Sequence, residues 1–154
     1  MKHLEKTTLM NENIIEFITK QKSASICCMD VKGAPYCFSC FYAFNANDGL
    51  LYFKSSADTY HIKRMLENPI IAGTILPDKL WIVNIKGIQF QGNLLPLNHE
   101  LSVKAMGNYY KTHKLALAIP GIVWTVELNQ IKMTDSSMGF GKKTNWQRNM
   151  LAVV

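Results

Sequence analysis

The chain is short of arginine: only Arg64 and Arg148 stand among its seventeen basic residues, although the formal net charge is +6. Its lysines are spread from Lys2 to Lys143 without a dense run, so neither the basic stripe nor the recognition helix of a nucleic-acid binder is present, and no nucleic-acid partner is expected. Long apolar runs are missing too. With no candidate membrane span and no apolar N-terminal run resembling a signal peptide, the expected setting is cytoplasmic, with no membrane partner. The four cysteines fall in two close clusters, Cys27-Cys28 and Cys37/Cys40, which suits a reducing compartment better than a disulfide framework. No G-x-S-x-G elbow, G-x-x-x-x-G-K-[ST] loop or G-x-G-x-x-G fingerprint occurs, which removes the commonest hydrolase, nucleoside-triphosphate and Rossmann readings. His3, His61, His99 and His113 form no H-E-x-x-H or other close pair, so no metal site is expected from them.

What is present is a chain of 154 residues, 48% hydrophobic and 18% charged, read as a single domain over 1–154 able to bury its own core. Asn11 can cap a helix whose Ile14, Ile15 and Ile18 form an apolar stripe ending near Lys22. Ser25 to Met29, Pro35 to Phe44 and Leu50 to Phe53 read as strands joined by hairpin-type turns. A fourth strand is expected over Ile70 to Leu76, and one long or two short strands over Trp81 to Leu95, interrupted near Gly87 and Gly92. A helix capped by Asn98 runs to about Lys111, and a last strand spans Ile122 to Met133. The pattern predicts a mainly β, α+β fold: a six-stranded antiparallel barrel with short flanking helices. A barrel this small is filled by its own side chains, so a ligand must sit outside it or between subunits.

The stretch LLYFKSSADTYHIKRMLENP, Leu50 to Pro69, is the strongest functional candidate. An apolar strand runs into Ser55, Ser56, Asp58 and Thr59, and Ile62, Met65 and Leu66 then resume at the spacing of one helix face, until Asn68-Pro69 ends it. Hydroxyls delivered to a helix N-terminus with unpaired N–H groups make an anion site, to which Lys54, His61, Lys63 and Arg64 can add donors. Cys37-Phe38-Ser39-Cys40 has C-x-x-C spacing, but within a strand residues three apart point to opposite faces. The same parity splits Cys27 from Cys28, so the four sulfurs are expected to serve as packing residues and not to ligate one metal. Gly139 to Lys143, GFGKK, is glycine-flexible and basic: it reads first as a solvated loop and alternatively as a loop able to close over an anionic ligand.

The segments ASICCMDVKGAPYCFSCFYAF, LYFKSSADTYHIKRMLENPIIAGTI, IKGIQFQGNL and WTVELNQIKMTDSSMGFGKKTNW resemble the flavin-binding split barrels related to pyridoxamine 5'-phosphate oxidase, and within them the YhbP-like branch. In the oxidase relatives a hydroxyl-bearing strand end and a Ser-x-Lys pair opening a helix hold the FMN phosphate. The resemblance implies that Ser55 and Ser56 are the strand-end ligands, that Thr59 takes the Ser place and that His61 takes the Lys place. It also implies that the isoalloxazine ring rests against Ser39, Cys40, Phe41 and Tyr42 at a homodimer interface. The function implied is an FMN-dependent oxidoreductase acting on a small-molecule redox substrate, or alternatively a non-catalytic flavin- or haem-binding protein for storage, sensing or transfer. Histidine in place of lysine supplies fewer donors and only partial charge near neutral pH. The arginine motifs that bind pyridoxamine phosphate have no counterpart, since Lys142, Lys143 and Arg148 stand in a different context, so vitamin B6 oxidation does not carry over.

Overall fold

The computed structural model describes residues 9–80, 83–139 and 141–148. Met1 to Thr8, Trp81, Ile82 and Phe140 lie outside the described residues, and with them the expected loose N-terminus and the start of the strand expected from Trp81. The first helix, α1 (Glu12–Lys20), begins where the Asn11 side chain accepts a hydrogen bond from the Asn13 amide, and it buries Ile14, Phe17 and Ile18. The strands β1 (Ser23–Met29), β2 (Pro35–Asn45) and β3 (Leu50–Ser55) form the expected meander, turned by Gly33 and Gly49, both at positive φ. Helix α2 (Tyr60–Glu67) and strand β4 (Ile70–Ile75) follow, then β5 (Lys86–Leu95), α3 (Ala105–Thr112), β6 (Ile122–Asp135) and β7 (Lys143–Gln147).

The strand order is β3-β2-β1-β4-β5-β6-β7, and a further β3–β6 pairing joins the two sides. Six antiparallel strands therefore close into a barrel, leaving β7 as a seventh strand on its edge. The expected six-stranded split barrel with short flanking helices is the observed fold. Inward residues fill its interior: Ile26, Phe53, Ile71, Phe90, Trp124, Val126 and Ile131 are all buried in one cluster, closed at one side by Ile14 and Ile18 of α1 and by Ile62 and Met65 of α2. A second cluster lies on the outer face of β3 and β6, where Leu50, Tyr52 and Val123 are covered by Ala105 and Tyr109 of α3. This double covering explains why β3 reads as a continuous apolar run and not as an alternation.

Two expectations are corrected. The helix expected from Asn98 is broken: His99, not Asn98, accepts from the Leu101 amide to start a 3-10 turn at Glu100–Ser102, and the Ser102 hydroxyl turns back to the Pro96 carbonyl before α3 begins. Strand β5 runs unbroken through Gly87 and Gly92. Gly92 does mark a bulge, opposite the shift in β6, where a Cβ would lie 2.3 Å from the Glu127 carbonyl oxygen. Gly139 and Gly141, at φ 126° and 69°, flank Phe140, which lies outside the described residues, and Lys143 already belongs to β7. Buried Trp146 within β7, and the Arg148 guanidinium just after it, which donates to the Leu128, Asp48 and Gly49 carbonyls, fix this strand to the barrel.

Candidate functional site

Strand β3 ends at Ser55, whose backbone carbonyl is fixed by the indole N–H of buried Trp124 at 3.0 Å. Its hydroxyl is therefore held at a defined point beside the start of α2. The three-residue turn that follows is braced by the Ser56 hydroxyl accepting from the Asp58 amide at 3.3 Å and by the Thr59 hydroxyl donating to the Ser56 carbonyl at 2.8 Å. Thr59 then occupies the N-cap with extended backbone but makes no side-chain capping bond, and no acidic residue lies in the first turn. The helix thus keeps first-turn N–H groups and the positive end of its dipole available to an anion.

Three side chains meet there. Ser55 Oγ lies 2.8 Å from His61 Nε2 and 3.3 Å from Thr59 Oγ1, and Thr59 Oγ1 lies 3.2 Å from His61 Nε2. The imidazole is stacked on Phe38 of β2, with ring centroids 3.8 Å apart and planes at 11°, which fixes its tilt. Burial lowers the His61 pKa, so the ring is neutral at pH 7 and one nitrogen is a donor while the other accepts. The set offers hydroxyl and imidazole N–H donors beside free amides, the chemistry that suits a phosphate. Phe38, which sequence reasoning did not single out, is the platform; its parity with Cys40 and Tyr42 on β2 was the available signal.

Of the other cations expected to help, Lys54 turns away. Its ammonium donates to the Ala116 and Ile119 carbonyls, across the barrel wall from the cluster, and lies over the Tyr110 ring. Arg64 is paired with Glu67 at 2.6 Å and covers Tyr60, whereas Lys63 is exposed. Ser56 contributes its backbone and braces the turn. Leu66, expected on the buried helix face, is 54% exposed.

The β2 candidates divide by parity. Ser39 and Phe41 face outward, and Phe41, 62% exposed, helps line a cleft of about 450 Å³ with Thr74, Leu76 and Asp78. Cys40 and Tyr42 face inward. Burial pushes the Cys40 thiol up to about 12, and the Tyr42 hydroxyl is spent on the Ile18 carbonyl at 2.6 Å, its pKa raised first by burial. The C-x-x-C sulfurs therefore sit on opposite faces of β2, as strand parity requires, and no group of three or more metal-ligating side chains occurs among the described residues.

Closed barrel, edge strand and short flanking helices define a split-barrel fold. Solved structures share this fold at low identity: a haem-binding protein from Mycobacterium smegmatis has TM-score 0.70 and 11% identity over 85% of this chain and 55% of its own. A FAD-binding protein from Mesorhizobium loti has TM-score 0.60 and 19% identity over 80% and 92% of the two chains. A Clostridium acetobutylicum protein of the pyridoxinephosphate oxidase family, related to general stress protein 26, has TM-score 0.63 and 11% identity over 88% and 92%. No family model matches the chain. Among curated proteins it is 41% identical to a UPF0306 protein of Photorhabdus laumondii over 113 residues, 73% of this chain and 79% of that one, and 32% identical to a UPF0306 protein of Serratia proteamaculans over 145 residues, 92% and 98% of the two. The chain belongs to the UPF0306 family.

Proposed function

We propose that the protein binds FMN as a homodimer and serves as a flavin-dependent oxidoreductase for a small-molecule redox substrate. The observation that carries this reading is the convergence of Ser55, Thr59 and His61 at an uncapped, acid-free helix start, in a fold whose solved examples include FAD- and haem-binding proteins. Those residues would hold the flavin phosphate, with the first-turn amides of α2 completing its hydrogen bonds. When bound, the flavin supplies the electron chemistry, and the protein's part is to orient it and shield it. The WTVELNQIKM strand and the GFGKK turn are the residues on which we place the chain in the YhbP-like branch of these barrels.

The filled barrel interior leaves no room for a tricyclic ring, so the ring lies outside it. A second copy, presenting its outward β2 face with Ser39 and exposed Phe41, would form the other wall. Flavin is favoured over haem because the hydroxyl and imidazole donors gathered at the start of α2 suit a phosphate group. The test is titration of the apoprotein with FMN, riboflavin and haem, followed by fluorescence and absorbance, with sedimentation of each mixture. Saturable FMN binding to a dimer, tighter than riboflavin, is expected. Equal affinity for the two flavins, or tight FMN binding by a monomer, would refute the phosphate site or the dimer respectively.

A further inference from the structure

Strands β1 and β2 bring together two cysteines that the sequence motif does not relate. Cys27 lies directly opposite Cys37 in the register, and both side chains are on the outward face, Cys27 half-buried and Cys37 exposed. Two backbone bonds fix the parity of this ladder. Tyr42 donates to the Lys22 carbonyl and Asp30 donates to the Ala34 carbonyl, so hydrogen-bonded pairs fall at even-numbered residues of each strand. The Cys27–Cys37 pair is therefore a non-hydrogen-bonded one, in which Cα atoms approach to about 4.5 Å. That separation is within the roughly 4.4–6.8 Å that a disulfide spans, and it is the class of antiparallel pair whose side chains lie closest.

The pair also stands at an accessible place. Both residues line a groove of about 620 Å³ on the outer sheet face, together with Ser25, Thr74, Gln89 and Lys132. The groove adjoins the smaller cleft beside Phe41, with which it shares Ser25 and Thr74, but Ser39 and Phe41 line only the cleft. The other two cysteines have no such disposition, since Cys28 is buried in the barrel core and Cys40 is packed against it.

We propose that Cys27 and Cys37 form a thiol–disulfide exchange site, a cross-strand dithiol that small-molecule disulfides oxidise to an internal bridge. The exposed Cys37 thiolate attacks one sulfur of the disulfide, forming a mixed disulfide and releasing the first small thiol. Cys27 then attacks the Cys37 sulfur, forming the bridge and releasing the second. The two electrons lost by the cysteine pair reduce the small disulfide, and the two thiol protons end on its two products. Hydrogen bonding with the Cys37 thiol, followed by burial, holds the Cys27 thiol up at about 11. Exposure orders the two attacks: Cys37, open to solvent, meets the small disulfide first, and half-buried Cys27 is the resolving thiol. Cys37 shares the outward β2 face with Ser39 and Phe41, so the exchange requires that the second copy proposed above leave the Cys37 end of that face open.

The test uses the whole chain, reduced and then incubated with excess oxidised glutathione, with intact mass and peptide mapping as readouts. Wild type is expected to lose two hydrogens in mass and to yield a peptide linking Cys27 to Cys37. Cys27→Ser is expected to stop at a glutathione adduct on Cys37, and Cys37→Ser to give no bridge. A stable adduct on wild type, a bridge mapped to any other pair, or no reaction under conditions that oxidise an unstructured dithiol peptide would each overturn the proposal.

Discussion

Replacement of both phosphate-site side chains, Thr59→Val with His61→Leu, should weaken FMN binding while leaving riboflavin nearly unaffected. A hydrogen bond to a charged group contributes about 1.5–3 kcal/mol, so two are worth about 3–6 kcal/mol against water. The donors are not free in this molecule, however. Thr59 donates to the Ser56 carbonyl and His61 is bonded to Ser55, so phosphate must displace two neutral bonds of about 1 kcal/mol each. The expected net loss is about 1–4 kcal/mol, or about one to three powers of ten in Kd. Leucine keeps an apolar contact with Phe38, and valine matches threonine in shape, so the fold should survive. The assay is fluorescence titration of wild-type and variant apoprotein with both flavins, after urea unfolding and sedimentation have shown that the variant folds and assembles. Unchanged FMN affinity would refute the site, and equal losses for FMN and riboflavin would show that these residues act only through general structure.

Three further outcomes are expected. Thr125, 1% exposed beneath α3, buries a hydroxyl with no hydrogen-bond partner, so Thr125→Val should stabilise the protein by about 1 kcal/mol in urea unfolding, and a loss of stability would contradict this. Gly92→Ala drives a Cβ against the Glu127 backbone at the bulge and should cost about 1–3 kcal/mol by the same measurement. His61 has its pKa lowered by burial from the ordinary 6.5, so the unfolded chain binds its proton more readily than the folded one. Its contribution to stability is full above that ordinary value and is lost as pH falls through the lowered one. Urea midpoints of wild type should therefore drop more steeply on acidification below pH 6.5 than those of His61→Gln, and parallel curves would show that the ring is not buried as described.

Much of the barrel was legible because its signals are local. The turns Asp30 to Ala34 and Asn45 to Gly49 carry the residues that hairpins demand, and the observed ladders join β1 to β2 and β2 to β3 across them. What was not legible depends on tertiary contact. Strand β7 is five residues with one buried side chain, Trp146, and its pairing with β6 gives no pattern that a sequence window could detect. The break between Glu100–Ser102 and α3 likewise follows from Ser102 finding the Pro96 carbonyl, a contact that helix periodicity does not encode. The closing β3–β6 pair leaves only an indirect trace, the unbroken apolar run in β3 that double burial produces.

The site divides in the same way. Ser55, Thr59 and His61 were legible together because one strand end, one turn and one helix start carry all three, and the geometry of that junction is set within seven residues. Lys54 was misread for the same reason, since adjacency in sequence says nothing about which wall of a strand a side chain takes. Residues 54 and 55 alternate across β3, so when Ser55 turns toward α2 the lysine must turn toward the opposite face, where the Ala116 and Ile119 carbonyls take up its ammonium. Removal of the lysine from the cluster leaves the imidazole as the one titratable donor bonded to both hydroxyls. Burial favours the neutral ring in the empty site, so the cluster meets a phosphate with hydrogen-bond donors and the helix dipole in place of a fixed positive charge. A site built in this way should bind a flavin phosphate less tightly than a lysine-bearing one, with a smaller dependence on ionic strength, since screening acts on charge and hardly on short neutral donors.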